Sequence, residues 1–257
     1  MPRRLSQKIA IVTGAGSGIG RATAQLFAAD GAAVVLADRD KSTVMETRAL
    51  IGSDESVIMS LACDISQEDD VRRMALETNG RFGRIDILVN NAATFHYKGV
   101  HEADGEDWQK TLATNVTGTS LCSRFVAERM RDSGGGAIVN VASINGFQAE
   151  EGYATYCSSK AALLMLTRCM AIDFGRWNIH VNSVSPGPVN TPALQRELER
   201  LRVNPADFER QVFQKQCLHR ILQPVDIART ILFLASEEAS GITAADFVVD
   251  GGYSARS

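Results

Sequence analysis

The sequence predicts an α/β fold built on a doubly wound parallel sheet of seven strands. Three observations predict it. Short runs rich in β-branched residues alternate with longer helical patterns almost to the end of the chain. These runs are apolar throughout, with little polar alternation, as strands covered on both faces must be. The first run feeds directly into a glycine-rich stretch that opens a helical pattern.

In order, the strands are expected at Lys8–Thr13, Ala33–Ala37, Val57–Ala62, Ile85–Val89, Ala137–Val141, His180–Val184 and Asp246–Val249. Helical periodicity fills 19–30, 41–51, 67–80, 105–132, 154–174 and 224–236 between them. Such a βαβ rhythm implies right-handed crossovers. Residues 188–222 are polar and uneven, and read as an irregular excursion between the sixth and seventh strands. With no linker, low-complexity tract or internal repeat, residues 1–257 read as one domain, long enough for a sizeable core.

Composition narrows the function classes. A net charge of -3 gives no electrostatic case for nucleic acid or an anionic membrane. The five cysteines are scattered and never form Cys-x-x-Cys, which argues against a disulfide framework or a zinc site and fits a reducing cytoplasm. The opening "MPRRLSQKIAIVTG" has an apolar run broken at Thr13-Gly14, too short for an export signal or a bilayer span. The four histidines, His96, His101, His180 and His219, show no metal spacing, so no metal is expected.

The stretch "TGAGSGIG", Thr13 to Gly20, follows the first strand and precedes a helix. Such a turn needs residues without Cβ, and free helix N–H groups there meet a pyrophosphate. Its glycines run Gly14, Gly18 and Gly20 in a spacing unlike G-x-G-x-x-G. Asp38 ends the second strand, 18 residues past Gly20. A carboxylate there accepts hydrogen bonds from ribose hydroxyls and repels a 2′-phosphate, favouring NAD over NADP. Its rival reading is a cap on the next helix, for which Asp40 competes; Arg39 beside it would attract a phosphate. Later, "YCSSK" places Tyr156 and Lys160 four apart, neighbours on one helix face.

Taken in order, "TGAGSGIG", "NNAA" (90–93), Asn115, Ser143, "YCSSK" and "SPGPVNTP" (185–192) resemble the short-chain dehydrogenase/reductase family over essentially the whole chain. That family has a Rossmann-type sheet of seven parallel strands. The resemblance implies that Tyr156 is the catalytic acid/base and Lys160 its modulator. It makes Ser143 the hydroxyl that orients a carbonyl, and Asn115 part of a proton relay through water. It also implies cofactor contacts from Gly14, Ser17, Gly18, Ile19, Gly20, Asp38 and Arg39. Cys63, Asp64 and Ile65 would lie near the adenine, with a simple helix cap as the rival role for Asp64. The turn at Asn90, Asn91, Ala92 and Ala93 would pass the adenine ribose, Ala93 standing where the family pattern has glycine. Pro186, Gly187, Val189 and Thr191 would line the nicotinamide, beside Tyr156 and Lys160 themselves.

Ordinary physics fits those roles. A free tyrosine titrates near 10, and a nearby ammonium or an oxidised nicotinamide favours its anion. The expected activity is therefore NAD-dependent interconversion of a small secondary alcohol and a ketone. Reduction of a 3-oxoacyl thioester is the alternative, with Arg124, Arg129 and Arg168 available to dock an acidic carrier. A third reading is a nucleotide-binding regulator that has lost its chemistry; retention of Tyr156 and Lys160 opposes it. Cys157 reads as a packing residue and Glu150-Glu151 as a solvated pair or a pocket wall that disfavours anions. The segment "AALLMLTRCMAI" is apolar on more than one face and needs cover on both sides, so a homo-oligomer is expected, and the family resemblance implies a dimer or, more readily, a tetramer.

Overall fold

Apolar runs this short bury both faces only inside a sheet, and each one becomes a strand. The computed structural model describes residues 3–52 and 56–255. Its first half runs β1 (Ile9–Thr13), α1 (Gly18–Ala29), β2 (Ala33–Asp38), α2 (Lys41–Ile51), β3 (Ile58–Ala62), α3 (Glu68–Phe82) and β4 (Ile87–Asn90). The second half runs α4 (Gly105–Leu112), α5 (Thr119–Asp132), β5 (Gly136–Val141), α6 (Ala154–Gly175) and β6 (Ile179–Pro186). It continues through α7 (Pro192–Leu201), α8 (Pro205–Lys215), α9 (Pro224–Ala235) and β7 (Asp246–Val249). All seven strands pair in parallel, in the order β3-β2-β1-β4-β5-β6-β7.

Side chains alternate across the sheet, so each central strand supplies two cores. Ala10, Val12, Val34, Leu36 and Val139 pack on one side with Phe27 of α1 and Ile231 of α9. Ile11, Val35, Leu88 and Ile138 pack on the other with Val126 and Met130 of α5 and Met170 of α6. A polar ladder crosses the second core. Asn90 Nδ2 donates to Asn140 Oδ1 at 2.9 Å and to Ser123 Oγ at 3.0 Å, and Asn140 Nδ2 donates to Thr167 Oγ1 at 2.9 Å. These buried bonds fix α6 over β4 and β5.

Two segments differ from the sequence expectation. The single helix expected over 105–132 is divided: a π-helical stretch, Ala113–Gly118, separates α4 from α5. Such an insertion re-aims the residues it carries, here Asn115. The excursion at 188–222 is not irregular, because it holds α7 and α8. Each begins with a side-chain cap, Thr191 accepting from Leu194 N–H and Asn204 from Ala206 N–H, followed by proline. Each buries a single side chain, Leu198 or Val212, so its apolar stripe is too thin to show as periodicity.

Candidate active site

The carboxyl ends of β1 to β6 open onto one cavity of about 1500 Å³. At one end lies the turn after β1. Gly14 has φ +64°, and a Cβ there would come within 2.7 Å of Asn91 Nδ2 and 2.9 Å of Ala92 Cα. A Cβ on Gly20 would overlap the Gly14 carbonyl oxygen. The bare backbone is thus required by close approach on both counts. Asn91 Nδ2 donates to the carbonyls of Thr13 and Gly14, at 3.0 and 3.1 Å, and clamps the turn to the end of β4. Ser17, at the start of α1, makes no side-chain cap, so the first N–H groups of the helix face the cavity for an anion. This cradle fits the diphosphate of a dinucleotide.

Gly14, Ser17, Gly18 and Ile19 line the cavity. Gly20 does not; it lies beneath the turn, where its missing side chain lets the helix close on the strand. Asp38 and Arg39 stand at the end of β2. Asp40 caps α2, accepting from Ser42 N–H at 2.9 Å, which leaves Asp38 for the cavity. One Asp38 oxygen accepts from the Gly16 N–H at 3.1 Å. Gly16 was not among the expected contacts, although it stands in the quoted motif. Its Cβ would crowd Asp38 and Thr43, so it too must be glycine. Cys63, Asp64 and Ile65 line the same end, and burial pushes the Cys63 thiol up to about 12. Asp64 is not a helix cap: it accepts from Ser66 N–H and Oγ in the turn before α3, whose N-cap is Gln67.

Asn91, Ala92 and Ala93 line the cavity, but Asn90 turns the other way into the polar ladder. Adjacent residues at a strand end face opposite sides, which separates the two asparagines.

At the other end Tyr156 and Lys160 sit on the first turns of α6, both buried. Lys160 Nζ donates to the Val141 carbonyl at 2.7 Å and lies 5.6 Å from the Tyr156 ring centroid. Ser143, just past β5, faces the phenol and biases it toward its anion. Burial is stronger and holds Tyr156 well above its ordinary range. Burial alone lowers the Lys160 ammonium to about 7. In the chain itself, desolvation opposes charge on both groups. Pro186, Gly187, Val189 and Thr191 line the cavity after β6. Asn115 does not. Its side chain donates to Thr94 O and Ser159 Oγ, both at 3.0 Å, and accepts from Thr94 N–H at 2.8 Å, bracing the segment after β4 against α6. The Val141 carbonyl, Thr94 and Ser159 carry no sequence signal of this role, because their partners lie 19 to 44 residues away.

Residues 14–254 match the family described as enoyl-(acyl carrier protein) reductase. The chain is 36% identical over 256 residues to cis-4-hydroxycyclohexanecarboxylate dehydrogenase of Sinomonas cyclohexanicum, spanning 99% of this chain and 100% of that one. It is 36% identical over 250 residues to D-threitol dehydrogenase of Mycolicibacterium smegmatis, spanning 97% and 94%. A short-chain type dehydrogenase/reductase from Mycobacterium marinum matches with a TM-score of 0.89 at 35% identity, over 98% and 97% of the two chains. The chain belongs to the short-chain dehydrogenase/reductase family. It is an oxidoreductase of the alcohol–ketone type that works with a nicotinamide cofactor.

The buried lysine has a stability consequence. Its ammonium titrates near 10.5 in the unfolded chain and near 7 when folded, so the unfolded state binds the extra proton between those values. The cost of burying it is complete below about pH 7 and fades as the pH rises toward 10.5. Lys160→Met should therefore raise Tm near pH 6.5, with a smaller gain near pH 9.5, and the loss of its bond to Val141 works against both. Thermal unfolding at the two pH values tests this; a variant no more stable than the parent at pH 6.5 contradicts it.

Proposed function

We propose that the protein is an NAD-dependent dehydrogenase that interconverts a secondary alcohol and a ketone, with Tyr156 as acid/base. The observation that carries this reading is the adjacency of buried Tyr156, Lys160 and Ser143 at one end of a cavity whose other end is a glycine cradle. When bound, the nicotinamide supplies the hydride donor or acceptor and, in its oxidised form, a positive charge. The chain handles the proton. In the reducing direction Tyr156 Oη, kept protonated by burial, donates to the developing alkoxide oxygen. In the oxidising direction the phenolate takes the proton of the alcohol hydroxyl. Ser143 holds the substrate oxygen beside that phenol. Lys160, with a pKa of about 7, gains or loses a proton near neutrality and offsets the phenolate charge as it forms.

Asp38 supports NAD as the dinucleotide, since its carboxylate borders the cradle and is not consumed by capping. The outer face of α6 supports a homo-oligomer: Met165 and Ile172 are 56% and 79% exposed on a helix whose opposite face is core.

Three outcomes follow from this reading. Tyr156→Phe should cut kcat by about 10²–10⁴-fold while NADH binding, followed by fluorescence, survives, because only the transferable proton is lost. A loss under tenfold would remove Tyr156 from the role. For the cofactor, kcat/KM should favour NAD over NADP, and Asp38→Ala should narrow the ratio by about tenfold or more. Like charges about 4 Å apart repel by ~1 kcal/mol in water and ~4 kcal/mol near a protein surface, and ~1.4 kcal/mol is tenfold. Equal use of both dinucleotides by the parent excludes Asp38 as the selector. Finally, light scattering at micromolar concentration should report an oligomer that Ile172→Glu weakens; an active monomer rules out the α6 contact.

A further inference from the structure

One wall of the cavity is formed by residues 94–98 and α7, and it is aromatic. The Phe95 ring lies 4.6 Å from that of Tyr156, and Tyr97 stacks on Phe95 at 6.2 Å. Tyr153 meets Tyr97 edge-on at 5.1 Å, and the Arg200 guanidinium covers a face of Tyr97 at 4.4 Å. The rings lead from the reacting phenol to Glu197 on α7, whose carboxylate faces the Tyr97 hydroxyl. Glu197 Oε1 is buried and has no hydrogen-bond partner. Among the described residues it is the only buried, unpartnered side-chain oxygen or nitrogen that belongs to a residue lining the cavity.

Buried carboxylate oxygens are normally paired, because leaving one unpaired forfeits its hydration for nothing. We infer that Glu197 Oε1 accepts a hydrogen bond from a second hydroxyl of the substrate, and that the enzyme's substrates are diols or polyols. This rests on the reading of Tyr156 as the end where the first hydroxyl reacts. The surrounding charges select the donor. An ammonium group would face Arg196 and Arg200, both close enough to act on Tyr97, and a carboxylate would face Glu197 itself and Glu150. A neutral hydroxyl meets neither objection. Burial raises the Glu197 carboxyl and the Tyr97 hydroxyl that faces it offsets this only in part, so a further donor that relieves its desolvation is a favourable partner.

The alternative is that Glu197 only latches α7 to Tyr97. Both ideas are tested by kcat/KM for cyclohexanol against cyclohexane-1,3- and 1,4-diol, and for 2-hexanol against 2,5-hexanediol. The parent enzyme should favour at least one diol by about tenfold or more, the scale of one hydrogen bond to a charged group. Glu197→Gln should reduce that preference about tenfold, mainly through KM, whereas Tyr97→Phe, which removes the latch and leaves the acceptor, should keep it. No diol preference in the parent, or equal collapse of the ratio in both variants, overturns the inference. Loss of turnover in Tyr156→Phe is scored separately, so the general reading stands or falls by itself. Should the parent oxidise none of these alcohols, calorimetric binding of the diols replaces turnover, and equal affinity in parent and Glu197→Gln overturns it.

Discussion

β1 has β2 on one side and β4 on the other, and the chain leaves it in opposite directions in its two halves. That reversal is the constraint on which the remaining structure depends. The helices that follow β1 and β2 pack on one face and those that follow β4 and β5 on the other, so nothing covers the carboxyl ends where the halves part. The loops that follow β1 to β6 then meet around one opening. Asn91 shows how close the meeting is: its amide reaches from β4 to two carbonyls at the end of β1. The glycines at 14 and 20 are a consequence of the same crowding rather than a separate device.

Electrostatics at the other end follow from where α6 is held. The ladder from Asn90 through Asn140 to Thr167 sets the helix against β5, and this holds Lys160 inside the protein with the Val141 carbonyl as its hydrogen-bond acceptor. Burial disfavours both the ammonium and the phenolate, yet the two groups lie side by side. Burial therefore favours the neutral form of each, and the core is less stable for holding them.

Much of this was legible in the residues. Continuous apolar runs marked every strand, because parallel strands covered on both faces have no polar side to show. Asp38 could be singled out but not separated from Asp40, since both end the same strand; only the bond from Ser42 to Asp40 divides their roles. Asn90 and Asn91 were equally ambiguous until the direction of the strand end was known. The helices α7 and α8 carried start signals, Thr191-Pro192 and Asn204-Pro205, but each has only one buried side chain to supply a period. Asn115 was found by its place in a motif, whereas its bracing contacts depend on a π-helical insertion that no spacing announces. Glu197 had no local mark at all, being one of two acids on a polar helix.

Thr191 occupies a position shared by the two halves of the cavity. Its hydroxyl starts α7, and its methyl group would be the first atom met by a side chain at Gly18, at 3.4 Å. The residue that begins this wall of the cavity therefore also roofs the turn after β1. A change at 191 reaches both ends of the cavity at once. The shape of the wall is free to drift along α7, pivoting on a residue that the glycine turn holds in place.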